Sequence, residues 1–319
     1  MPGLRIVFMG TPDLARVSLE ALLARPEFQI VGVVTQPDRP KGRELKLQPS
    51  PVKELAMHNQ LPVMQPERAR DEDFVSELQR LAPELIAVAA YGQILPKAIL
   101  EVPRFGCINV HTSLLPKYRG AAPIQWAILN GDAETGVTIM KMDVGMDTGE
   151  ILTQEKALIG DEDNAETLHD RLAELGASLL VKTIPEYVAG NIRPRPQPFE
   201  GVSYAPKIKK EDGLIDWKQP ARTIWNRVRG LAPWPGAFTR LPAKTQLLKI
   251  WQARVTDDAA NPGEIIEVNK NALVVGCGEG ALSLQELQRE GGRRLTAEQF
   301  LAGYPLKRGQ QLGQQLDTR

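Results

Sequence analysis

Apolar residues in the first half of the chain recur with two different periods. Short β-branched runs at Leu4–Met9 and Gln29–Thr35 predict buried strands, and apolar residues at helical spacing over Asp13–Arg25 predict a helix between them. Phe74–Leu81 and Glu84–Ala90 repeat the order of helix and then strand. This βαβ rhythm predicts an α/β domain with a Rossmann-like parallel sheet and helices on both of its faces.

Four further segments belong to this predicted domain. Gly106–His111 and Gly136–Met142 have the pattern of strands, and Asn164–Val188 has the pattern of a long closing helix. The segment Gln36–Lys53 interrupts the rhythm, because it is rich in proline, glycine and basic residues. Such a composition after a strand predicts a long loop, and long loops without internal structure are usually functional or disordered.

The second half of the chain has a different pattern. A Pro-rich stretch at 190–206 predicts an extended linker, and Ala221–Leu231 predicts one amphipathic helix. Five short alternating runs follow, at Ala237–Leu241, Leu247–Val255, Gly263–Val268, Ala272–Gly276 and Ala281–Leu287. Short strands at near-regular spacing are typical of a small antiparallel barrel, so we expect an OB-like β-barrel. The predicted domains are therefore 1–189 and 207–319, joined by the linker at 190–206.

The distribution of charge changes the picture of the second domain. The 319 residues carry 39 Lys+Arg and 39 Asp+Glu, so the formal net charge is zero. Residues 1–189 hold 19 basic and 26 acidic side chains, whereas residues 190–319 hold 20 basic and 13 acidic ones. Net charges of −7 and +7 therefore cancel, and the basic half suits a polyanionic partner. On charge alone, a solvated basic face explains the asymmetry equally well.

Composition excludes several classes of protein. A hydrophobic content of 42% and a charged content of 24% are typical of a folded globular protein. No apolar run approaches the roughly 20 residues that span a bilayer, and no signal peptide is apparent, so we expect a cytoplasmic protein that does not bind membranes. Cys107 and Cys277 lie far apart and the chain has three histidines, which argues against a disulfide framework or a zinc site. We expect a monomer that uses no metal.

Candidate chemistry is concentrated where the strand Gly106–His111 ends. Asn109, His111 and Ser113 alternate along the chain, so they point to one side of a strand whose other residues are apolar. Open α/β sheets bind their ligands at the carboxyl ends of strands. Asp147 is a second polar anomaly, although on spacing alone an Asp between two glycines is better explained as an ordinary hairpin residue. Group transfer to an amine needs donors for a developing oxyanion and a carboxylate that moves protons, and Asn109, His111 and Asp147 could supply both.

Four motifs carry a resemblance to a known family. They are INVHTSLLPKYRGAAPIQWAI at 108–128, GVTIMKMDVGMDTGEIL at 136–152, FMGTPD at 8–13 and WPGAF at 234–238. They resemble the methionyl-tRNA formyltransferase family, and the resemblance extends over essentially the whole chain. The Asn-x-His pair and the distant Asp alone would indicate only the wider folate-dependent formyltransferase superfamily. The basic loop TQPDRPKGRELKLQPSPVK and the basic C-terminal domain point to the tRNA enzymes within it.

This resemblance implies a reaction and roles for residues. The reaction is transfer of a formyl group from 10-formyltetrahydrofolate, the formyl-donor co-substrate, to the α-amino group of initiator Met-tRNA, for translation initiation. Asn109 and His111 would polarise the formyl oxygen and stabilise the tetrahedral oxyanion, and Asp147 would position or relay protons from the attacking amine through water. The first domain would then be the formyltransferase catalytic domain and the second the tRNA-binding domain.

The resemblance also implies two sets of binding residues. The segment Ser113, Leu114, Leu115 and Pro116 resembles the folate-binding stretch of the family. The basic loop matches an inserted loop that reaches the acceptor end of the tRNA, with Arg43 as the match to its key arginine. The expected tRNA-binding residues are Arg39, Lys41, Arg43, Lys46, Lys207, Lys209 and Lys210.

Two rival functions remain open at this point. The first is a folate-dependent formyltransferase that acts on a small amine such as a nucleotide sugar, whose binding would depend far less on salt than the binding of tRNA. The second is a nucleic-acid-binding module on a catalytically inactive Rossmann scaffold. The intact Asn109, His111 and Asp147 argue against this second possibility.

Overall fold

The computed structural model describes residues 3–41, 46–242, 246–269 and 272–313, without the side chains of Lys41 and Lys46. The chain divides into two compact units. The first unit comprises Met1–Pro123, Glu134–Leu158 and His169–Ala205, and the second comprises Ile124–Ala133, Ile159–Leu168 and Pro206–Arg319. In the described part of the chain, no helix is both long enough and apolar enough to cross a membrane.

The first unit contains both parallel and antiparallel strands, and two of them, Leu85–Ala89 and Cys107–His111, are wholly buried. In chain order the strands are β1 (Leu4–Gly10), β2 (Phe28–Val34), β3 (Arg39–Lys41), β4 (Lys46–Gln48), β5 (Val63–Met64), β6 (Leu85–Ala89), β7 (Cys107–His111), β8 (Arg119–Gly120), β9 (Glu134–Lys141), β10 (Ile151–Leu158) and β11 (Tyr204–Ala205). The helices up to residue 188 are α1 (Asp13–Leu23), α2 (Pro51–His58), α3 (Glu72–Arg80), α4 (Lys97–Leu100), α5 (Pro123–Leu129) and α6 (Ala165–Val188).

Seven of these strands form one sheet in the order β10-β9-β7-β6-β1-β2-β5. The strands β1, β2, β5, β6 and β7 are parallel, which confirms the Rossmann-like prediction for this part of the sheet. The strand β9 is antiparallel to β7, and β10 is antiparallel to β9. An antiparallel return needs no crossover helix, so the short connection at 142–150 suffices to join β9 to β10. This connection contains Asp147.

The segment 36–53 is not a long loop, and that prediction was wrong. Its strands β3 and β4 pair antiparallel as a hairpin, with Arg39 opposite Gln48. Helix α2 then begins at Pro51, and Ser50 Oγ accepts a hydrogen bond from the N–H of Lys53 at 3.1 Å. Three-residue strands are too short to show an alternating pattern. The proline in β3 is tolerated because both strands of an isolated hairpin are edge strands.

The Pro-rich segment, predicted as part of a linker, belongs to the first unit as far as Ala205. Arg195 pairs antiparallel with Ile151, and their backbone groups exchange hydrogen bonds of 2.8 and 2.9 Å. Further along, β11 pairs in parallel with β8. Proline allowed the extended backbone to be predicted, but it carried no information about these partners.

The second unit is built on an antiparallel sheet. Its strands are β12 (Ala237–Arg240), β13 (Leu247–Thr256), β14 (Ile265–Val268), β15 (Leu273–Gly276), β16 (Ala281–Arg289) and β17 (Leu295–Thr296). They pair in the order β12-β13-β16-β15-β14, with β17 on β16. The unit also contains a 3-10 helix (Lys210–Gly213) and the helices α7 (Ala221–Gly230) and α8 (Ala297–Gly303). The antiparallel β domain is confirmed, and its closure into a barrel stays a prediction.

Candidate active site

The carboxyl end of β7 holds two buried polar side chains. Asn109 and His111 are only 9% and 6% exposed. The strand lies between β6 and β9, so hydrogen bonds to both neighbours occupy its backbone. Apolar residues would suit such a position better, because burying polar groups costs free energy unless they are hydrogen-bonded. The polar residues identified from the sequence therefore need partners in the protein or in a ligand.

His111 has one ring nitrogen bonded to the protein and the other beside a carboxylate. Its Nε2 lies 2.9 Å from the carbonyl oxygen of Tyr118. Since a carbonyl only accepts hydrogen bonds, Nε2 carries the hydrogen. The Nδ1 atom lies 3.7 Å from Oδ2 of Asp147, which is longer than a hydrogen bond. Nδ1 can therefore donate to a ligand only when His111 is an imidazolium, and that cation would lie beside the Asp147 carboxylate.

Asp147 occupies a turn and at the same time faces the histidine. Its φ is +52°, in the left-handed region that Asp tolerates better than most residues. Its Oδ2 accepts a hydrogen bond of 2.8 Å from the N–H of Gly120. Within the described part of the chain, Oδ1 has no hydrogen-bond partner. One carboxylate oxygen is thus held in place, while the other is free to accept a proton.

The Asn109 amide is in a different situation. In the structure as described, no protein group forms a hydrogen bond with its side chain, although it is nearly buried. Its polar atoms remain accessible to solvent, since they are not among the fully buried side-chain atoms that lack a partner. A ligand oxygen can therefore reach this amide, so Asn109 suits a ligand contact.

The four candidate folate-binding residues divide into two pairs. Ser113 is fully buried and its Oγ donates to the carbonyl oxygen of Lys117 at 2.6 Å. Leu115 is also buried, and its carbonyl oxygen accepts a hydrogen bond of 2.8 Å from Nε2 of Gln154. Leu114 and Pro116 are half-buried and retain accessible apolar surface. The first pair shapes the loop, and the second pair is able to contact a ligand.

The candidate tRNA-binding residues are dispersed along the chain. In the first unit, the side chain of Arg39 is 66% exposed, and its Nη2 lies 4.0 Å from Oε2 of Glu67. Lys41 and Lys46 belong to the hairpin strands, and Arg43 lies outside the described residues. In the second unit, the side chains of Lys207, Lys209 and Lys210 are all exposed.

The base of the β3–β4 hairpin is held by a polar network. Lys53 Nζ donates to Asp38 Oδ2 at 2.6 Å and to Gln65 Oε1 at 2.7 Å. Gln65 Nε2 in turn donates to the carbonyl oxygen of Gln36 and to Asp38 Oδ1. The hydrogen bond from Lys53, with a smaller contribution from Gln65, holds the pKa of Asp38 below its usual value. Lys53 therefore anchors the hairpin and does not project from it.

Sequence reasoning missed the groups that hold the site together. They are the carbonyl of Tyr118, the N–H of Gly120 and the side chain of Gln197, whose Nε2 donates to the carbonyl oxygen of Asp147 at 2.8 Å. Backbone groups carry no residue-type signal, and Gln197 was hidden in the Pro-rich segment. In the described part of the chain, no three His, Cys, Asp or Glu side chains are grouped so that they could hold a metal ion.

Comparisons with known proteins cover both units. Residues 4–184 match the family described as formyl transferase, and residues 207–305 match the formyl transferase C-terminal domain. The methionyl-tRNA formyltransferase of Geobacter sulfurreducens is 49% identical over 314 residues, which is 98% of each chain. The methionyl-tRNA formyltransferase of Pelobacter propionicus is 52% identical over 313 residues, covering 98% of this chain and 97% of the relative.

Two solved structures share the fold. The N-formyltransferase from Helicobacter canadensis, in complex with folinic acid and dTDP-3-aminofucose, is similar with a TM-score of 0.63 and 22% identity, over 89% of this chain and 99% of that one. HypX from Aquifex aeolicus, in complex with tetrahydrofolic acid, is similar with a TM-score of 0.62 and 18% identity. That match covers 93% of this chain but 46% of HypX, so the chain spans about half of that protein.

Proposed function

We propose a function from the premise that this chain belongs to the formyl transferase family. It transfers a formyl group from 10-formyltetrahydrofolate to the α-amino group of the methionine on initiator Met-tRNA. The observation that carries this proposal is the similarity, through both units, to relatives named methionyl-tRNA formyltransferase. We also propose a cytoplasmic location, because the proposed substrate is a tRNA of translation initiation.

The residues at the end of β7 fit a formyl-folate donor. When bound, the donor supplies an electrophilic formyl carbon whose oxygen gains negative charge as the amine attacks. Asn109 offers an amide with no protein partner among the described residues, and an imidazolium at His111 offers a second donor from Nδ1. Leu114 and Pro116 offer apolar surface suited to a flat pterin.

Each residue of the trio then has a distinct role. Asn109 and His111 donate hydrogen bonds to the formyl oxygen and stabilise the charge that develops on it. Asp147 accepts the proton released by the attacking amine at its free Oδ1, directly or through a water molecule, while Gly120 holds Oδ2. The same proton can then pass to the folate nitrogen as its bond to the formyl carbon breaks, so that the carboxylate is restored and tetrahydrofolate leaves.

Binding of tRNA is assigned to basic residues of both units. In the first unit they are Arg39, Lys41, Arg43 and Lys46, and in the second they are Lys207, Lys209 and Lys210. The three lysines flank the buried Ile208 in the sequence, and their side chains lie in solvent. Each phosphate that is neutralised should contribute about 0.7–0.9 to the slope of log affinity against log salt.

The direct test compares amine acceptors with a single formyl donor. The purified protein is given 10-formyltetrahydrofolate together with charged initiator Met-tRNA, charged elongator Met-tRNA or a nucleotide-linked amino sugar, and the formylated product is measured. We expect rapid formylation of the initiator only. Transfer to the amino sugar with a comparable kcat/KM, or no transfer to any of the three, would refute the proposal.

A further inference from the structure

Gln197 joins two parts of the candidate active site and has no role in the mechanism given above. Its Nε2 donates two hydrogen bonds of 2.8 Å, to the carbonyl oxygens of Asp147 and Gly149. Its Oε1 accepts two hydrogen bonds from Arg119, at 3.0 Å from Nε and 2.7 Å from Nη2. One half-buried side-chain amide therefore uses both of its ends to connect the Asp147 turn to β8.

The strand β8 contacts Asp147 by a second route. Arg119 binds Gln197, and the next residue, Gly120, donates its N–H to Oδ2 of Asp147. Covalent and hydrogen bonds consequently form a closed ring that runs from Asp147 through Gln197, Arg119 and Gly120 and back to Asp147. This ring holds the backbone carbonyl of Asp147 from one side and its carboxylate from the other.

The strand β8 is itself fixed by the segment that carries Gln197. Tyr204 and Ala205 of β11 pair with Arg119 and Gly120. Gly120 has a φ of +123°, and a Cβ there would lie 2.7 Å from the carbonyl oxygen of Ala205, so only glycine fits. The segment from Gln197 to Ala205 thus binds the site at both of its ends.

We propose that Gln197 is a positioning residue for formyl transfer. It holds Asp147 in the left-handed turn that keeps the carboxylate 3.7 Å from Nδ1 of His111. It acts through the backbone of the 147–149 turn and does not itself contact the reacting atoms. This inference rests on the proposed function, because it assumes that Asp147 takes part in the transfer.

Two substitutions distinguish the two ends of the amide. Gln197→Ala removes all four hydrogen bonds. Gln197→Glu keeps an oxygen for Arg119 but places a second, charged oxygen against the carbonyls of Asp147 and Gly149. If the hydrogen bonds from Gln197 to the carbonyls of Asp147 and Gly149 position the carboxylate, kcat falls by about ten- to a hundredfold in both variants. Displacing a catalytic group by about 1 Å can cost that much in rate. The KM values for both substrates should not change. Glu200→Gln, an exposed change in the same segment, is the matched control.

The outcomes separate this inference from the function on which it rests. Asp147→Asn retains an oxygen for the Gly120 N–H and is measured in parallel. A normal kcat in Asp147→Asn would overturn the role of Asp147 and the inference with it. A loss in Asp147→Asn combined with a normal kcat in Gln197→Ala or Gln197→Glu would overturn the inference alone. The Gln197 variants could also lose activity only because less of the protein is folded. In that case Tm would be lowered and kcat per folded molecule would be normal, which would show a purely structural role and would also overturn the inference.

Discussion

Two polar regions follow parallel strands of the same sheet, and their functional side chains are held in opposite ways. At the carboxyl end of β7, His111 and the neighbouring Asp147 from the β9–β10 connection are largely buried, and backbone groups of Tyr118 and Gly120 bind them. After β2, the β3–β4 hairpin presents Arg39 with two-thirds of its side chain in solvent. The difference matches the two tasks that we propose. Proton transfer needs atoms at fixed distances, whereas charge attracts a polyanion over roughly a Debye length of about 8–10 Å.

The hairpin is nevertheless well anchored at its base. Lys53, Asp38 and Gln65 form a network there whose hydrogen bonds are as short as those around Asp147. The two regions therefore differ in how exposed their functional side chains are, as Arg39 shows, and not in how firmly the backbone is held. Substitutions in the two regions should accordingly differ in kind, affecting turnover in one case and affinity in the other.

The largest effect is expected at the end of β7. Asn109→Ala, His111→Ala and Asp147→Asn should each lower the rate of formyl transfer, by about 10²–10³-fold for a lost oxyanion donor. The affinity for tRNA should not change, because the exposed basic residues remain. Single-turnover formylation and tRNA binding are measured on the same preparations. Asn59→Ala, at an exposed asparagine after α2, provides the control. Near-normal turnover in all three variants would contradict the assignment.

The same contrast explains what the sequence could and could not predict. Asn109 and His111 were recognisable because polar residues at period two interrupt an apolar strand, and the antiparallel domain was recognisable from its short alternating runs. The hairpin was missed because its strands are three residues long. Gln197 was missed because its contacts with Asp147 span 50 positions, and nothing local in a Pro-rich segment indicates such a partner.

A smaller effect is expected in the hairpin. Arg39→Ala should weaken tRNA binding while kcat stays the same, and it should reduce the salt slope by about 0.7–0.9 if one phosphate contact is lost. Arg80→Ala, at an exposed arginine that ends α3, is the matched control. Titrations at several salt concentrations measure both quantities. An unchanged slope together with a lower kcat would assign Arg39 to the chemistry and would remove the distinction between the two regions.

The smallest effect tests the anchor at the base of the hairpin. The hydrogen bond from Lys53 lowers the pKa of Asp38 in the folded protein. The stability that this bond contributes is therefore fully present above the unfolded pKa of about 3.9, and it is lost as the pH falls through the lowered pKa of the folded state. Lys53→Met should raise the pKa of Asp38 only in part, because Gln65 still donates to the same carboxylate. NMR titration of the Asp38 carboxyl carbon measures this shift.

Lys97→Met, which disrupts an exposed pair with Glu101, provides the control for that titration. Unfolding in urea at several pH values should show a difference between wild type and Lys53→Met at neutral pH that disappears in acid. A difference that persists below the folded pKa of Asp38 would mean that Lys53 stabilises the hairpin through packing of its aliphatic stem. In that case the hydrogen bonds at the base of the hairpin would be as short as those at the end of β7, but the bond between Lys53 and Asp38 would not be what stabilises the hairpin.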